Sequence, residues 1–448
     1  MKLTLGDIAD HVGGSLNSAS ARSIEVDGAS IDSRGILPGQ LFVPIVAERD
    51  GHEYIESARQ RGANAWFVAV GKPASSDQRS IVVPDTTTAL QQLSGLVRRR
   101  LPDRIAGVTG SVGKTSTKDL LGAVLRERAP AMVSAKSFNN ELGVPLTLLN
   151  APDDCWAGVV EMGARGPGHI RFLCEFARPT VGVITNIGSA HLELFGSREV
   201  IADSKSELIA GLPSHGVAVL NFDSDLYARM VDHASTTIVS FSATGNTAAS
   251  VYATDVRLNS ELRATFIVHT PDARFEVALG ARGLHQVANA LAASIAARAF
   301  GSTIEEIKAG LATSDLSPLR MDLVRLPSGT RVLNDTYNAN PVSMRAALDS
   351  LAQMNASRRF AFLGPMAELG PDRNALHLEV AEHGRDLGLE GIVSVGEPAY
   401  GTTNVEDIDA AIALCAELAL GPDDVVLVKG SRVAELERLV QKLLEGPR

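Results

Sequence analysis

The run Thr109-Gly110-Ser111-Val112-Gly113-Lys114-Thr115-Ser116 combines the residue types that hold the phosphates of a nucleotide. Glycines at 110 and 113 leave out the side chains that would keep an anion away from backbone N–H groups. A helix starting at the lysine aims the positive end of its dipole at the same point. Lys114 can reach terminal phosphates, and the Thr115 hydroxyl is placed to ligate magnesium. The general pattern has a glycine six residues before the lysine; here that position is Val108, so this is a shortened GxxGKT loop. A bare GKT also fits an ordinary turn. The flanks decide between the two: residues 104–108 (RIAGV) read as a buried strand and 119–125 (DLLGAVL) as a helix, the setting a phosphate loop needs.

Other chemistry-bearing residues follow apolar runs. Glu161 ends the run GVVE, and Thr185, Asn186 and His191 lie at or beyond the end of VGVITNI (181–187). In a parallel sheet such strand ends converge on one crevice, where a carboxylate and a neutral imidazole could position Mg²⁺ or water. Glu161 also fits a capping or salt-bridged carboxylate, and His191 a satisfied structural histidine. Lys205, in IADSKSELIAG, is on a helix by pattern, and spacing alone reads it as a solvated charge. The polar run 334–341 (NDTYNANP) follows the strand RVLN. It reads either as a loop built to offer hydrogen bonds or as an Asx-rich turn. Lys429-Gly430-Ser431-Arg432 closes the strand DVVLVKG, as a second anion site or as a turn with two surface bases. Asp32-Ser33-Arg34 and Asp50-Gly51-His52 read as solvated turns.

The elements that must position these residues form an α/β chain. Its 448 residues suit about three domains at ~150 residues each. Residues 1–84 read as a small α/β domain, with a helix in LTLGDIADHVGG, a strand in LFVPIV and a helix in EYIESARQRGA. Residues 85–315 read as the phosphate-loop domain, a mostly parallel sheet with helices on both faces. Its strands GVVEM, VGVITNI and VAVLNF are followed by antiparallel strands within 250–279 and a helix over 284–300 carrying Leu284, Val287, Leu291 and Ile295 on one face. Residues 316–448 read as a Rossmann-like α/β domain with strands FAFLG, GIVSVG and DVVLVKG. A net charge of −10, spread along the chain, argues against nucleic acid or an anionic membrane as partner. Three cysteines without metal spacing, acids near the N-terminus and no long apolar run fit a cytoplasmic protein.

Taken together, TGSVGKTST, EMGAR, TNIGSAHLE, GLHQVANALAA and KGSR resemble the Mur ligase superfamily of ATP-dependent amide-forming enzymes, across nearly the whole chain. NDTYNANPVSM (334–344), FNNELGVPLTLL (138–149) and LGPMAELG (363–370) are similar to the branch that joins D-alanyl-D-alanine to UDP-N-acetylmuramoyl-tripeptide. The resemblance implies ATP and Mg²⁺ as cofactors. It implies ATP contacts from 109–116, Asn289, Arg320, Asp335, Tyr337 and Asn338. It implies magnesium-side roles for Thr115, Glu161, His191 and a carbamoylated Lys205, with Lys114 on the phosphates. Asp32-Ser33-Arg34 and Asp50-Gly51-His52 would meet the UDP-sugar, and Asn139, Asn140 and 143–145 the muramoyl peptide. Lys429 and Arg432 would lie on the acceptor side. A monomer is expected. Another amide ligase of the superfamily, or a P-loop switch that hydrolyses ATP alone, are the competing readings.

Overall fold

The computed structural model describes residues 2–72, 78–188 and 192–446. Among these, three larger sheets follow one another along the chain, so the expected three-domain α/β architecture is present. The first runs, in spatial order, Ser15–Leu16, Ser80–Val83, Ala65–Ala69, Leu41–Phe42, Ala29–Ser30, parallel except for Ser15–Leu16. A separate antiparallel pair joins Lys2–Thr4 to Glu25–Asp27. The helix Leu5–Val12 therefore begins later than its sequence run, with the Thr4 hydroxyl capping Asp7 N–H and Gly13 closing it at φ 64°. LFVPIV forms a strand only over Leu41–Phe42. Pro44 has no N–H to offer a ladder, and Gly51 N–H bonds back to Ile45 O, turning the chain away.

The central sheet has nine strands, ordered Arg274–Arg282, Arg263–His269, Val251–Leu258, Thr237–Ser242, Val217–Asn221, Val181–Ile184, Ile105–Thr109, Ala157–Glu161, Ala131–Val133. Its last seven strands are parallel, and the first two antiparallel strands extend one edge. Ile105–Thr109 is fully buried and lies between Val181–Ile184 and Ala157–Glu161, as an apolar run covered on both faces should. The same register brings Thr109, Glu161 and Ile184 to one end of the sheet.

Two helices hold the phosphate-loop helix Lys114–Arg126 in place. Gln286–Ala299 is buried nearly all round, its alanines letting the helix axes approach. It starts two residues later than its sequence pattern, because Gly283 at φ 102° turns the chain, and Leu284 is left exposed. Ile304–Thr313 comes so close that a Cβ on Gly310 would sit 2.4 Å from Val124 Cα. On the other face one apolar cluster runs from Leu5 and Ile8 through Leu90 and Leu93 to Met162 and Ile184, joining the first two units through the helix Thr86–Arg98. Asn150 reinforces that joint: its side-chain carbonyl accepts from Ala29 N–H at 3.2 Å and Gln40 Nε2 at 2.9 Å.

The third sheet is ordered Asp322–Arg325, Arg331–Asp335, Asp424–Lys429, Arg358–Leu363, Gly391–Val395, Thr403–Val405, parallel except for Asp322–Arg325. The polar run after Arg331–Asp335 ends in a capping box: Asn340 Oδ1 accepts Ser343 N–H at 3.0 Å and starts the helix Pro341–Gln353.

Candidate active site

The phosphate loop is closed by its neighbours. Ser111 N–H donates to Asn186 O, and Val112 N–H to Asn186 Oδ1, both at 2.9 Å. The Thr185 hydroxyl donates to Val112 O at 2.5 Å. Gly110 and Gly113 are required by space and by backbone. At Gly110, φ is 149° and a Cβ would lie 1.9 Å from Thr185 Oγ1; at Gly113, φ is 86° and a Cβ would lie 2.4 Å from Asn289 Oδ1. Lys114 Nζ donates to Gly110 O at 2.7 Å, folding back over the loop. Burial lowers its pKa, opposed by the Glu161 charge and reinforced by Arg320.

Around this loop lies a cleft of about 550 Å³ between the central and third units. Its walls include Lys114, Thr115, Glu161, Asn289, Asp335 and Lys429. The topology thus gathers residues scattered from 111 to 433. Arg320 enters from the connection between the two units, donating to Thr115 Oγ1 at 2.9 Å, with its guanidinium 4.1 Å from the centre of the Tyr337 ring. Asp335 and Lys429 end adjacent parallel strands and form a buried ion pair at 2.5 Å. Lys429 Nζ also donates to Asn338 O at 2.9 Å. Lys429 is therefore neither a surface base nor a free anion site. Arg432 lines the cleft and pairs with Glu437 at 2.6 Å; it opens a short 3₁₀ turn, and the following helix starts only at Glu437.

Glu161 is buried at the end of its strand. Asn139 Nδ2 donates to its Oε1 at 2.9 Å, while Oε2 has no partner among the described residues. A buried, unpartnered carboxylate oxygen lining the same cleft as Thr115 fits a hard cation such as Mg²⁺, which needs one or two protein oxygens beside phosphates and water. No group of three or more His, Cys, Asp or Glu that could hold a metal occurs among the described residues. Lys205 is not a solvated charge: it is buried in the helix Arg198–Ala210, and burial, then the nearby Lys114, pushes its pKa well down. His191 lies outside the described residues.

Other expected residues sit differently. Asn289, buried, donates to Gln286 Oε1 at 2.8 Å and accepts from Thr117 Oγ1 at 3.2 Å. Asn140 Oδ1 accepts Gly143 N–H at 2.9 Å at the start of the helix Gly143–Leu149; residues 143–145 are buried and do not line the cleft. Asp32 pairs with Arg34 at 3.0 Å, and Ser33 is buried between them. Asp50 is paired with Lys72 at 2.7 Å and His52 Nδ1 at 2.6 Å, while His52 Nε2 accepts Ala69 N–H at 3.0 Å. This turn is tied into the fold, not solvated. Asp32–Arg34 and Asp50–His52 do not line the cleft.

The sequence reading missed His285. It lines the cleft, feels the charges of Asp335 and Lys429, and keeps a buried Nδ1 without a partner among the described residues. Burial lowers its pKa.

Residues 108–297 match the Mur ligase middle domain and residues 319–432 the Mur ligase glutamate ligase domain. The chain is 34% identical to the UDP-N-acetylmuramoyl-tripeptide–D-alanyl-D-alanine ligase of Escherichia coli (strain K12), over 100% of this chain and 99% of that one. Its fold is similar to a crystal structure of MurF from Acinetobacter baumannii, with TM-score 0.88, 31% identity and 99% of each chain covered. It is also similar to the MurF ligase from Thermotoga maritima in complex with ADP, with TM-score 0.80, 28% identity and 94% and 97% coverage.

Proposed function

This chain belongs to the Mur ligase family, and we propose that it joins D-alanyl-D-alanine to UDP-N-acetylmuramoyl-tripeptide with ATP, releasing ADP and phosphate. The observation that carries the reading is the shared cleft, in which a phosphate loop faces Arg320, Asp335 and Lys429 of the following unit. Similarity to D-alanyl-D-alanine-adding ligases over the whole chain favours this reading over a P-loop switch.

In this reading residues 85–315 bind ATP, residues 1–84 the UDP-sugar and residues 316–448 the dipeptide. A carboxylate is a poor acyl donor. Transfer of the γ-phosphoryl group to the tripeptide's terminal carboxylate gives an acyl phosphate and ADP. The neutral amine of the dipeptide then attacks the acyl carbon, phosphate leaves, and the amine's extra proton is lost. Lys114 and the N–H groups of 113–115 at the helix start would offset charge on the transferring phosphoryl, where positioning and electrostatics supply most of the rate. Thr115 and Glu161 would hold Mg²⁺, with His191 and a carbamoylated Lys205 completing that side. The bound ion would supply charge neutralisation at the phosphates. Asn289 would meet the adenine, with Arg320, Tyr337 and Asn338 on the nucleotide from the third unit's side. Asn139 would orient Glu161. Among the described residues no helix is long and apolar enough to cross a membrane. In this reading the enzyme is a cytoplasmic monomer acting on a nucleotide-linked precursor.

Phosphate release from ATP with UDP-N-acetylmuramoyl-tripeptide, with and without D-alanyl-D-alanine, tests this when the product is read by mass. A dipeptide-sized gain requiring both substrates supports it. Release that needs neither would favour the switch.

A further inference from the structure

The loop 364–369 (GPMAEL) forms one wall of the cleft through Ala367 and Glu368, beside Ser431 and Lys429. Its backbone is held at four successive residues. Gly364 N–H donates to Lys429 O at 2.8 Å, and Ser431 N–H donates to Pro365 O at 2.9 Å. Ala367 N–H donates to Ser431 Oγ at 2.9 Å. The Met366 N–H points the other way, into the protein, and donates to His377 Nε2 at 2.9 Å.

That bond fixes the state of His377. With Nε2 accepting, the proton sits on Nδ1, which donates to Arg373 O at 2.7 Å. The ring is fully buried in the helix Arg373–Asp386 and lies edge-on to Tyr400, 4.7 Å between centroids. The Tyr400 hydroxyl donates to Gly364 O at 2.9 Å. Glu397, also buried, is paired with Arg373 and stays 3.7 Å from His377 Nε2. Two polar rings from outside the cleft therefore grip the loop from beneath, at its start and its middle. Immediately after the grip, Glu368 adopts φ 61°, a left-handed conformation that a non-glycine residue holds only when its surroundings demand it.

We propose that His377 and Tyr400 are positioning residues for the acceptor: they hold the 364–369 loop as the wall against which the incoming dipeptide is seated. The proposal rests on the ligase reading above and assigns to that wall the dipeptide end of the cleft. Neither residue touches the reacting atoms. Their effect passes through the backbone of Gly364 and Met366 to Ala367 and Glu368.

The test compares three variants of the full-length enzyme. His377→Leu removes the acceptor for Met366 N–H, His377→Gln can restore it through Oε1, and Tyr400→Phe removes one hydroxyl and keeps the ring. KM is measured separately for ATP, the UDP-tripeptide and the dipeptide, with amide exchange at Met366 as a readout independent of turnover. Loss of one buried bond should raise the dipeptide KM about tenfold in His377→Leu, with a smaller rise in Tyr400→Phe and near recovery in His377→Gln. The other two KM values should stay unchanged, and Met366 should exchange faster only in His377→Leu. Equal rises in all three KM values, or a dipeptide KM unmoved while Met366 exchange accelerates, would overturn the positioning role alone. A wild-type enzyme that ligates no dipeptide would overturn the function and this assignment with it.

Discussion

Arg320 donates to the hydroxyl of Thr115 at 2.9 Å, linking the connection before the third unit to the first turn of the phosphate-loop helix. That hydroxyl is the atom proposed to ligate Mg²⁺, so a guanidinium and a cation compete for one oxygen. The residues on either side of Arg320, Leu319 and Met321, have φ of 66° and 56°. Such backbone costs of order 1–3 kcal/mol per residue and marks where a chain is held under constraint. Nucleotide binding should transfer the guanidinium from the hydroxyl to phosphate oxygens.

Arg320→Ala therefore has two opposed effects. It frees Thr115, losing a bond to a neutral hydroxyl, and it removes a charged donor from the phosphates. The second effect is larger, since the guanidinium meets an opposite charge on the phosphates, whereas its bond to the hydroxyl has only one ionised partner. KM for ATP should rise about tenfold, with KM for the dipeptide unchanged. An unaltered ATP KM would show that Arg320 serves the fold and not the nucleotide.

The loop glycines give a sharper case. In Gly110→Ala the new Cβ would meet Thr185 Oγ1 at 1.9 Å, so Thr185 must leave and its bond to Val112 O is lost. We expect a stability loss of about 2–3 kcal/mol in urea, typical of a strained backbone plus a broken buried bond, together with loss of ADP binding by calorimetry. Adding Thr185→Ala should recover part of the stability. If the double variant is no more stable than Gly110→Ala alone, steric conflict with Thr185 is not the cause.

Much of this site was legible before folding because it sits where strands end. Continuous apolar runs announced Ile105–Thr109 and Ala157–Glu161, and their parallel pairing necessarily brings Thr109 and Glu161 together. Partnerships across units were not legible. Nothing in spacing pairs Asp335 with Lys429, 94 residues away, because the strand that ends in Lys429 inserts between two earlier strands. Lys205 shows the limit of local pattern: a polar helix face reads as solvent-facing until another element covers it. His285 left no sequence signal beyond its neighbourhood, although Gln286 and Asn289, three apart on a helix, could have been paired in advance.

The Asp335–Lys429 pair yields a stability prediction. Its members are 15% and 3% exposed, so removing one leaves a charge with little water. Lys429→Met should cost about 3–5 kcal/mol, whereas Asp335→Asn with Lys429→Met should cost much less, because no buried charge is stranded. A double-mutant cycle in urea measures the coupling. Additive losses would mean that solvent already screens the pair.

Lys205 couples stability to pH. Its folded pKa is well below the ordinary lysine value, chiefly through burial, while the unfolded chain keeps a value near 10.4. Between those two values the unfolded state binds more protons, so this group makes stability rise with pH through that window, up to about 10.4. Lys205→Met removes the ionisable group. In carbonate-free buffer the variant should be more stable than wild type at pH 7, by about 1–3 kcal/mol, and the advantage should shrink as pH rises. Bicarbonate with Mg²⁺ and nucleotide should stabilise wild type beyond Lys205→Met, since carbamoylation converts a buried amine into an anionic oxygen donor. Mass spectrometry of the intact protein provides a separate check on that adduct. A variant less stable than wild type at every pH, with no bicarbonate effect on either protein, would show that the Lys205 stem is needed for packing alone.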